Sequence, residues 1–359
     1  MDFSAYFFSA DDRTDAGERY RFVIDVARYV DQHGFRAVWT PERHFQEFGG
    51  SFPNPSVLSA ALAAVTTSVD LRAGSVVVPH HHAVRIAEEW ALVDQISGGR
   101  VGLCLATGWH RGDFVFYPER YENRREHTFE QIDTLRALWR GEPVTFPGPG
   151  GQDLEIRTFP RPHSTHLPLW LVHSSNPQTW RQAGRAGTNV LTLLDNWDRL
   201  RDNIATYREA RDEAGHDPAA GTVTVAVHTY VGDDDTRVRE LVEEPVTRYL
   251  GTFLTQRRGD ASLSGESKTM TEEEHRSLSR YAFEDMYGNR SLLGTEEKCA
   301  ATVERLAAIG TDEIACMIDF GLPLPTVLDG LPALNRLRAR FAPTPAVTDY
   351  YRHPARRAR

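Results

Sequence analysis

The side chains best suited to acid–base chemistry stand together at Glu42, Arg43 and His44, directly after a short apolar run. Histidine titrates near neutral pH, so His44 suits proton transfer. Glu42 would orient a neighbouring side chain, and Arg43, which is permanently charged, suits an anionic substrate. His110 follows another apolar run and is the second candidate for proton transfer. The alternative is structural: His44 packs as a hydrogen-bonded residue, and Glu42 and Arg43 form a surface ion pair.

A second stretch has the residue types of a phosphate site at the start of a helix. Asn176 is typical of an N-cap, and Pro177 of a first helical residue. The N–H groups just inside a helix have no intrahelical partner and carry the positive end of its dipole, which attracts anions. An ordinary helix cap is the alternative. The predicted phosphate contacts are hydroxyl and backbone groups of Ser174, Ser175, Gln178 and Thr179.

The run His80-His81-His82 has the composition of a metal site but not its spacing. Consecutive residues point in different directions, and neither an HExxH motif nor a matching carboxylate spacing is present. We therefore expect no metal at this run. The cysteines also exclude a cysteine-based zinc or iron–sulfur site, because they are few and far apart: Cys104, Cys299 and Cys316.

The composition is that of an ordinary folded protein. Of 359 residues, 40% are hydrophobic and 25% charged, which argues against intrinsic disorder. The net charge of −9 makes nucleic acid and anionic membranes poor partners. No signal peptide or membrane-spanning run is visible. We therefore expect a cytoplasmic protein that binds neither nucleic acid nor membranes.

These candidate residues follow apolar runs that alternate with helical patterns. Eight such runs predict parallel strands covered on both faces, which over this length favours an α/β fold, a closed (β/α)8 barrel. A doubly wound open sheet is the alternative, but no GxGxxG motif follows the first strand. The predicted strands are 3–8, 35–39, 71–78, 101–106, 169–172, 189–194, 222–231 and 314–318.

We predict a single barrel domain over residues 1–344 and a C-terminal tail over 345–359. Gly and Pro are frequent in 141–162, which predicts an excursion or a small hairpin. The polar segment 256–291 is interpreted as a mobile insertion that acts as a lid over the site. Because active sites of such barrels lie at the carboxyl ends of the strands, the candidate residues above are expected to meet at one rim.

At these rim segments the sequence resembles the bacterial luciferase-like monooxygenases. The closest subgroup is the one associated with nonribosomal peptide and polyketide assembly in natural-product biosynthesis. The resemblance covers nearly the whole chain, with the least support in 256–291. It rests on collinear segments that include AVWTPERHF at 37–45, AGSVVVP at 73–79, ATGWH at 106–110, YENRRE at 121–126 and NPQTW at 176–180.

The resemblance implies a TIM barrel that binds FMN in its reduced form, supplied by a separate flavin reductase, and uses O2 as co-substrate. The substrate would be a small molecule or a group tethered to a carrier protein, amino-acid-like or acyl in character, and hydroxylated by the reaction. A homodimer is expected. Flavin contacts carried over or inferred at the rim are Trp39, Ser75, Val76, Thr107 and Gly108, and the family's non-proline cis peptide would fall within 74–76.

Departures from the luciferase pattern narrow this expectation. Arg43 stands where luciferase has its catalytic histidine, and arginine cannot act as a base near neutral pH, so light emission from an aldehyde is not expected. Thr107 replaces an arginine that helps to hold phosphate there. Two alternatives stay open: a deazaflavin-dependent oxidoreductase on the same barrel, and a flavin-binding protein without turnover.

Overall fold

Eight parallel strands close into a barrel in the computed structural model, which describes residues 1–8, 15–45, 51–173, 176–263 and 272–342. The barrel strands are β1 Asp2–Tyr6, β2 Ala37–Thr40, β3 Asp70–Val77, β4 Val101–Ala106, β7 Leu169–His173, β8 Asn189–Leu193, β9 Val223–Gly232 and β11 Glu313–Met317. The strand order is β9-β11-β1-β2-β3-β4-β7-β8, and β8 pairs with β9 to close the barrel. The predicted (β/α)8 fold is confirmed.

Ten helices among the described residues surround or extend this barrel. They bury one face each; Val23, Val26 and Val30 of the first helix, for example, are fully buried. Several begin at the side-chain caps that the sequence indicates, such as Asn54 before Pro55. The helices are α1 Ala16–Gln32, α2 Pro55–Ala63, α3 Ala83–Ser97, α4 Arg124–Arg140, α5 Pro177–Arg185, α6 Trp197–Glu213, α7 Asp235–Leu263, α8 Glu272–Asn289, α9 Glu296–Ala308 and α10 Leu324–Arg340.

The segment after α4 forms the predicted hairpin. β5 Val144–Pro147 pairs antiparallel with β6 Asp153–Ile156, apart from the barrel sheet. A further strand that the sequence analysis did not predict, β10 Leu292–Thr295, pairs with β9. It has room there because β9 is ten residues long and β11 pairs only with its first part, up to His228.

The predicted insertion 256–291 is largely helical. Its first residues continue α7, and most of its second half is α8. Residues 264–271 lie outside the described part of the chain, as does the predicted tail 345–359. That the segment moves as a lid stays a prediction. None of the helices that the structure describes is both long and apolar enough to cross a membrane.

Charged side chains fill the barrel interior near the amino ends of its strands. Arg72 donates to Glu313 Oε2 at 2.7 Å and to Asp70 Oδ2 at 2.9 Å. Glu313 Oε1 also accepts hydrogen bonds from Ser4 Oγ at 2.5 Å and from Trp39 Nε1 at 3.1 Å. This buried network lies at the end of the barrel that in such folds serves stability, and it leaves the opposite rim for chemistry.

Candidate active site

Glu42, just beyond the carboxyl end of β2, is the centre of a histidine cluster. Its side chain is buried, and Oε1 accepts hydrogen bonds from His44 Nε2 at 2.9 Å and from His81 Nε2 at 2.7 Å. Oε2 accepts a hydrogen bond from the backbone N–H of Val77 at 2.7 Å. The structure thus brings the predicted Glu42 and His44 together, and adds His81 from the loop after β3.

These contacts keep the carboxyl group of Glu42 ionised. Burial alone would raise its pKa, but the hydrogen bonds from His44 and His81, the charge of His81 and the bond from Val77 lower the pKa to about 2. In return, Glu42 raises the pKa of His81 against the opposing effect of burial. An ionised carboxylate only accepts hydrogen bonds, so Nε2 of His44 carries a proton and Nδ1 is the nitrogen left to take one up.

His80 lies next to Glu42 and His44, against aromatic side chains of the segment that follows β4. Its ring centroid is 4.8 Å from that of Phe114 and 5.8 Å from that of His44. Burial lowers its pKa to about 4, although Glu42 acts in the opposite direction. His80 is therefore a neutral imidazole at neutral pH. His82, the third histidine of the run, is exposed and caps α3 by accepting a hydrogen bond from Val84 N.

Arg43 points toward aromatic side chains of the segments that follow β1 and β4. Its guanidinium carbon lies 4.9 Å from the ring centroid of Phe8 and 5.8 Å from that of Trp109. The ring of Phe8 in turn contacts that of Tyr249 on α7, with centroids 5.8 Å apart. Burial lowers the pKa of Arg43, while Tyr249 and Asp113 act to raise it. The result is a cation in an aromatic setting at the rim.

His110 is buried against Trp109, with ring centroids 3.7 Å apart. The residue that links it to the first cluster is Asp113, which sequence reasoning did not select. Burial raises the pKa of Asp113, and the charges of His110, His44 and Arg43 lower it. Burial prevails, so the pKa of the half-buried Asp113 is raised overall while the charges of both predicted proton-transfer residues act on it.

The peptide bond between Gly74 and Ser75 on β3 is cis, as the resemblance predicts. Tyr6 donates from its hydroxyl to the Gly74 carbonyl at 2.7 Å, and a Cβ added at Gly74 would lie 2.6 Å from the Tyr6 ring. Val76 is buried and Ser75 half-buried beside this bond. Trp39 has no exposed surface and lies beneath Gly74, with its indole directed to Glu313. In this position Trp39 supports the rim and lines no open space.

An apolar floor lies at the rim of the barrel, on β7 and β8. Val172 and Leu193, at the carboxyl ends of β7 and β8, are 41% and 43% exposed. Both residues lie on the same face of the sheet as Trp170, whose indole N–H donates a hydrogen bond to Thr224 inside the barrel. The side chains of Val172 and Leu193 therefore point to the interior. Thr107 and Gly108 follow β4 and are half-buried. Gly108 has φ of 72°, and a Cβ there would lie 3.0 Å from Val77.

The start of α5, where the sequence predicts a phosphate site, lies beside a cationic side chain. Arg125 of α4 donates from Nη2 to the Thr179 hydroxyl at 2.9 Å and to Gln182 Oε1 at 2.8 Å. The N–H groups of Gln178 and Thr179 bond to the side chain and the carbonyl of Asn176, at 3.0 and 3.1 Å. Ser174 and Ser175, the other predicted contacts, lie outside the described residues. The two N–H groups are thus bonded within an ordinary helix cap, and the groups that suit a phosphate are the guanidinium of Arg125 and the hydroxyl of Thr179 beside the helix N-terminus.

Three residues of this site were missed as functional candidates from the sequence. Arg125 lay within the segment 121–126 that carries the resemblance, but nothing local indicates that it reaches α5. His81 and Asp113 follow strands three and four, so their position at the rim was a usable signal. Which of several rim residues would meet Glu42 depends on loop geometry.

His228, on β9, gives a testable pH dependence. Its ring packs 4.6 Å from that of Tyr249, and burial together with the charge of Arg290 lowers its pKa from 6.5 to about 4. The unfolded chain therefore binds a proton that the folded chain rejects, so stability is lost as pH falls from 6.5 toward 4. Between pH 7 and about pH 4.5, we expect the free energy of unfolding of His228→Phe to fall by about 2 kcal/mol less than that of the unchanged protein.

Urea unfolding of both proteins at the two pH values measures this difference. His166→Phe, at an exposed histidine, is the control and should lose stability with pH as the unchanged protein does. Equal acid destabilisation of His228→Phe and the unchanged protein would show that His228 is not the titrating group.

Comparison with known proteins assigns the chain that carries this rim to a family. The family described as luciferase-like monooxygenase matches residues 1–313. The oxygenase component of flavin-dependent trigonelline monooxygenase from Acinetobacter baylyi (strain ATCC 33305 / BD413 / ADP1) is 27% identical over 321 residues, 87% of this chain and 86% of the relative. The oxygenating constituent of 3,6-diketocamphane monooxygenase from Pseudomonas putida, in complex with FMN, superposes with a TM-score of 0.75 at 20% identity, covering 95% and 97% of the two chains.

An F420-dependent secondary alcohol dehydrogenase shares the same fold, with a TM-score of 0.71 at 18% identity over 94% of this chain and 97% of the other. The barrel is therefore shared by enzymes with different cofactors. The match to the family extends from β1 to the start of β11, and so includes every rim segment described above. The sequence-based prediction of an oxidoreductase of this type is confirmed: the chain belongs to the luciferase-like monooxygenase family.

Proposed function

We propose that this chain is an oxygenase that uses reduced FMN and O2 to hydroxylate an amino-acid-like, acyl or carrier-tethered intermediate of natural-product biosynthesis. The observation that supports a flavin phosphate is the contact of Arg125 with Thr179 at the start of α5. The exposed Val172 and Leu193 offer an apolar surface for a flavin ring. When bound, reduced flavin supplies the electrons that activate O2.

Each group of residues then has a distinct task. Arg125 and Thr179 hold the phosphate, and the backbone at Ser75 and Gly108 allows close approach beside the apolar floor. His44, oriented by the ionised Glu42, gives or takes a proton at Nδ1. Arg43 holds an anionic group of the substrate among Phe8 and Trp109, and this set of side chains favours a substrate that carries a carboxylate.

The experiment that tests this function is incubation of the protein with reduced FMN, O2 and candidate substrates, read by mass spectrometry for the gain of one oxygen atom. A separate flavin reductase with its nicotinamide donor replaces chemically reduced FMN in a second arm. Product in both arms, and none without the protein, supports the proposal. Flavin oxidation without any oxygenated product across amino-acid, acyl and carrier-bound candidates contradicts it. The homodimer stays a prediction.

A deazaflavin-dependent oxidoreductase is the second candidate, favoured by the fold shared with the F420-dependent alcohol dehydrogenase. The two functions separate in a binding measurement. Absorbance and fluorescence titrations with FMN and with the deazaflavin, both reduced and oxidised, decide which cofactor the rim binds. Tight binding of the deazaflavin with weak binding of FMN would replace the first proposal by the second.

The phosphate position gives a prediction of its own. Thr179→Glu would place a carboxylate beside Arg125 and against the phosphate, so we expect FMN affinity to fall at least about tenfold, which corresponds to about 1.4 kcal/mol. A flavin titration measures this change. Thr206→Glu is the matched control, because Thr206 is a half-buried helical threonine on α6 rather than at the start of α5, and FMN affinity should not change there. Unchanged affinity in Thr179→Glu would move the phosphate elsewhere.

A further inference from the structure

One residue of the histidine run converges with the strand-two pair. Glu42, His44 and His80 each place one ligand-type atom, a carboxylate oxygen or an imidazole nitrogen, within 4.8 Å of the others. The distance from Glu42 Oε1 to His44 Nε2 is 2.9 Å and to His80 Nδ1 4.0 Å. The sequence argued against a metal because neighbouring histidines diverge. They do diverge: His81 contacts Glu42 alone from one side, whereas His80 converges on both Glu42 and His44.

His80 provides an independent observation at the same place. Its side chain is 1% exposed. Neither of its ring nitrogens has a hydrogen-bond partner among the described residues. A buried polar group without a partner is costly and calls for a ligand or a water molecule. The ring contacts both Phe114 and Phe116, so it cannot turn its nitrogens to solvent without losing those contacts.

We propose that Glu42, His44 and His80 form a binding site for a Zn²⁺ ion. Two imidazoles and one carboxylate are a ligand set that zinc takes in proteins, with water completing the coordination. Ligand atoms about 2.0–2.1 Å from a tetrahedral zinc lie about 3.3–3.5 Å apart. The widest separation in the cluster must therefore shrink by no more than about 1.5 Å, and Glu42 Oε1 and His44 Nε2 must move apart by about 0.5 Å. His81 and the N–H of Val77 hold the Glu42 carboxylate in place from outside the set.

A zinc ion at this site has a consequence for the proposed oxygenase. His44 bound through Nε2 is fixed to the metal and cannot pass a proton in the way described above. Zinc would therefore inhibit turnover reversibly. The inhibition rests on the proposed function, whereas the zinc site does not. Zinc binding to the flavin-free protein therefore tests the site independently of the oxygenase activity.

The first experiment titrates the flavin-free, chelator-treated protein with Zn²⁺ in competition with a zinc-sensitive dye, and follows Co²⁺ binding by its absorption in a parallel sample. We expect one equivalent of zinc bound, and a loss of affinity of at least about a hundredfold in His80→Leu, whose side chain suits the aromatic surroundings. His166→Leu, at an exposed histidine, should bind zinc as the unchanged protein does.

His44→Asn provides a second variant that should also lose zinc, in case His80→Leu does not fold. If the unchanged protein binds no zinc, or if both variants bind it equally well, the site is overturned and His80 is satisfied by water. If zinc binds as expected but oxygenation proceeds unchanged in its presence, the inhibition is wrong and the binding site stands.

Discussion

His44→Asn is expected to lower the rate of substrate oxygenation about a hundredfold while FMN affinity stays unchanged. Asparagine has a similar size and keeps one hydrogen bond toward Glu42, but it does not titrate. The hundredfold loss is the lower part of the range for general acid–base assistance, and it corresponds to about 2.7 kcal/mol in the activation barrier. The measurement is a single-turnover assay with flavin saturating, in buffer that contains a metal chelator so that zinc cannot influence the result.

The control is His166→Asn, which removes an exposed histidine. Its turnover should match that of the unchanged protein. A flavin titration of His44→Asn separates lost chemistry from lost binding, because the proposed phosphate contacts on α5 are made by other residues. Full turnover by His44→Asn would remove His44 from the mechanism and leave His110, beside Asp113, as the proton-transfer candidate.

The barrel was predictable from the sequence because its strands are buried on both faces. Such strands appear as short, continuous apolar runs, and all eight were placed within about two residues of their observed ends. β10 was not predicted. Its four residues, Leu292–Thr295, contain a glycine and are too short for a periodic pattern, and the strand exists only because β9 extends beyond β11.

The candidate site was predictable in position but only partly in its contacts. The rule that chemistry lies at the carboxyl ends of barrel strands selected Glu42, His44 and His110 correctly as rim residues. The partners depend on contacts between distant segments: Arg125 meets Thr179 across 54 residues, and His81 meets Glu42 across 39. No local pattern encodes such a meeting. Trp39 was predicted as a flavin contact because it is a large aromatic residue at a strand end, but it has no exposed surface in the structure.

The charged network at the other end of the barrel gives the largest expected effect on stability. Burial would lower the pKa of Arg72, but the charges and hydrogen bonds of Glu313 and Asp70 raise it overall. The guanidinium also lies against two indole rings, 5.0 Å from the centroid of Trp39 and 4.5 Å from that of Trp170. The charge of Arg72 is therefore tolerated inside the barrel because two carboxylates and two aromatic rings surround it.

Glu313→Gln keeps the shape of the side chain and removes one of these two negative charges. Breaking a buried ion pair by neutralising one partner typically costs about 3–5 kcal/mol, because the other charge stays buried. Asp70 still contacts Arg72 in the variant, so we expect the lower end, a loss of about 3 kcal/mol in the free energy of unfolding. Urea unfolding near pH 7, followed by far-ultraviolet circular dichroism and by tryptophan fluorescence, measures this loss.

The control is Glu155→Gln in the exposed hairpin strand β6, where removing a solvated charge should change stability by less than about 0.5 kcal/mol. Tryptophan fluorescence adds a local readout, because Trp39 donates its indole N–H to the carboxylate that is neutralised. If Glu313→Gln unfolds at the same urea concentration as the unchanged protein, Asp70 and the indole rings suffice to hold the charge of Arg72. The barrel base would then owe its stability to apolar packing, and Arg72 would tolerate replacement by a neutral residue of similar length.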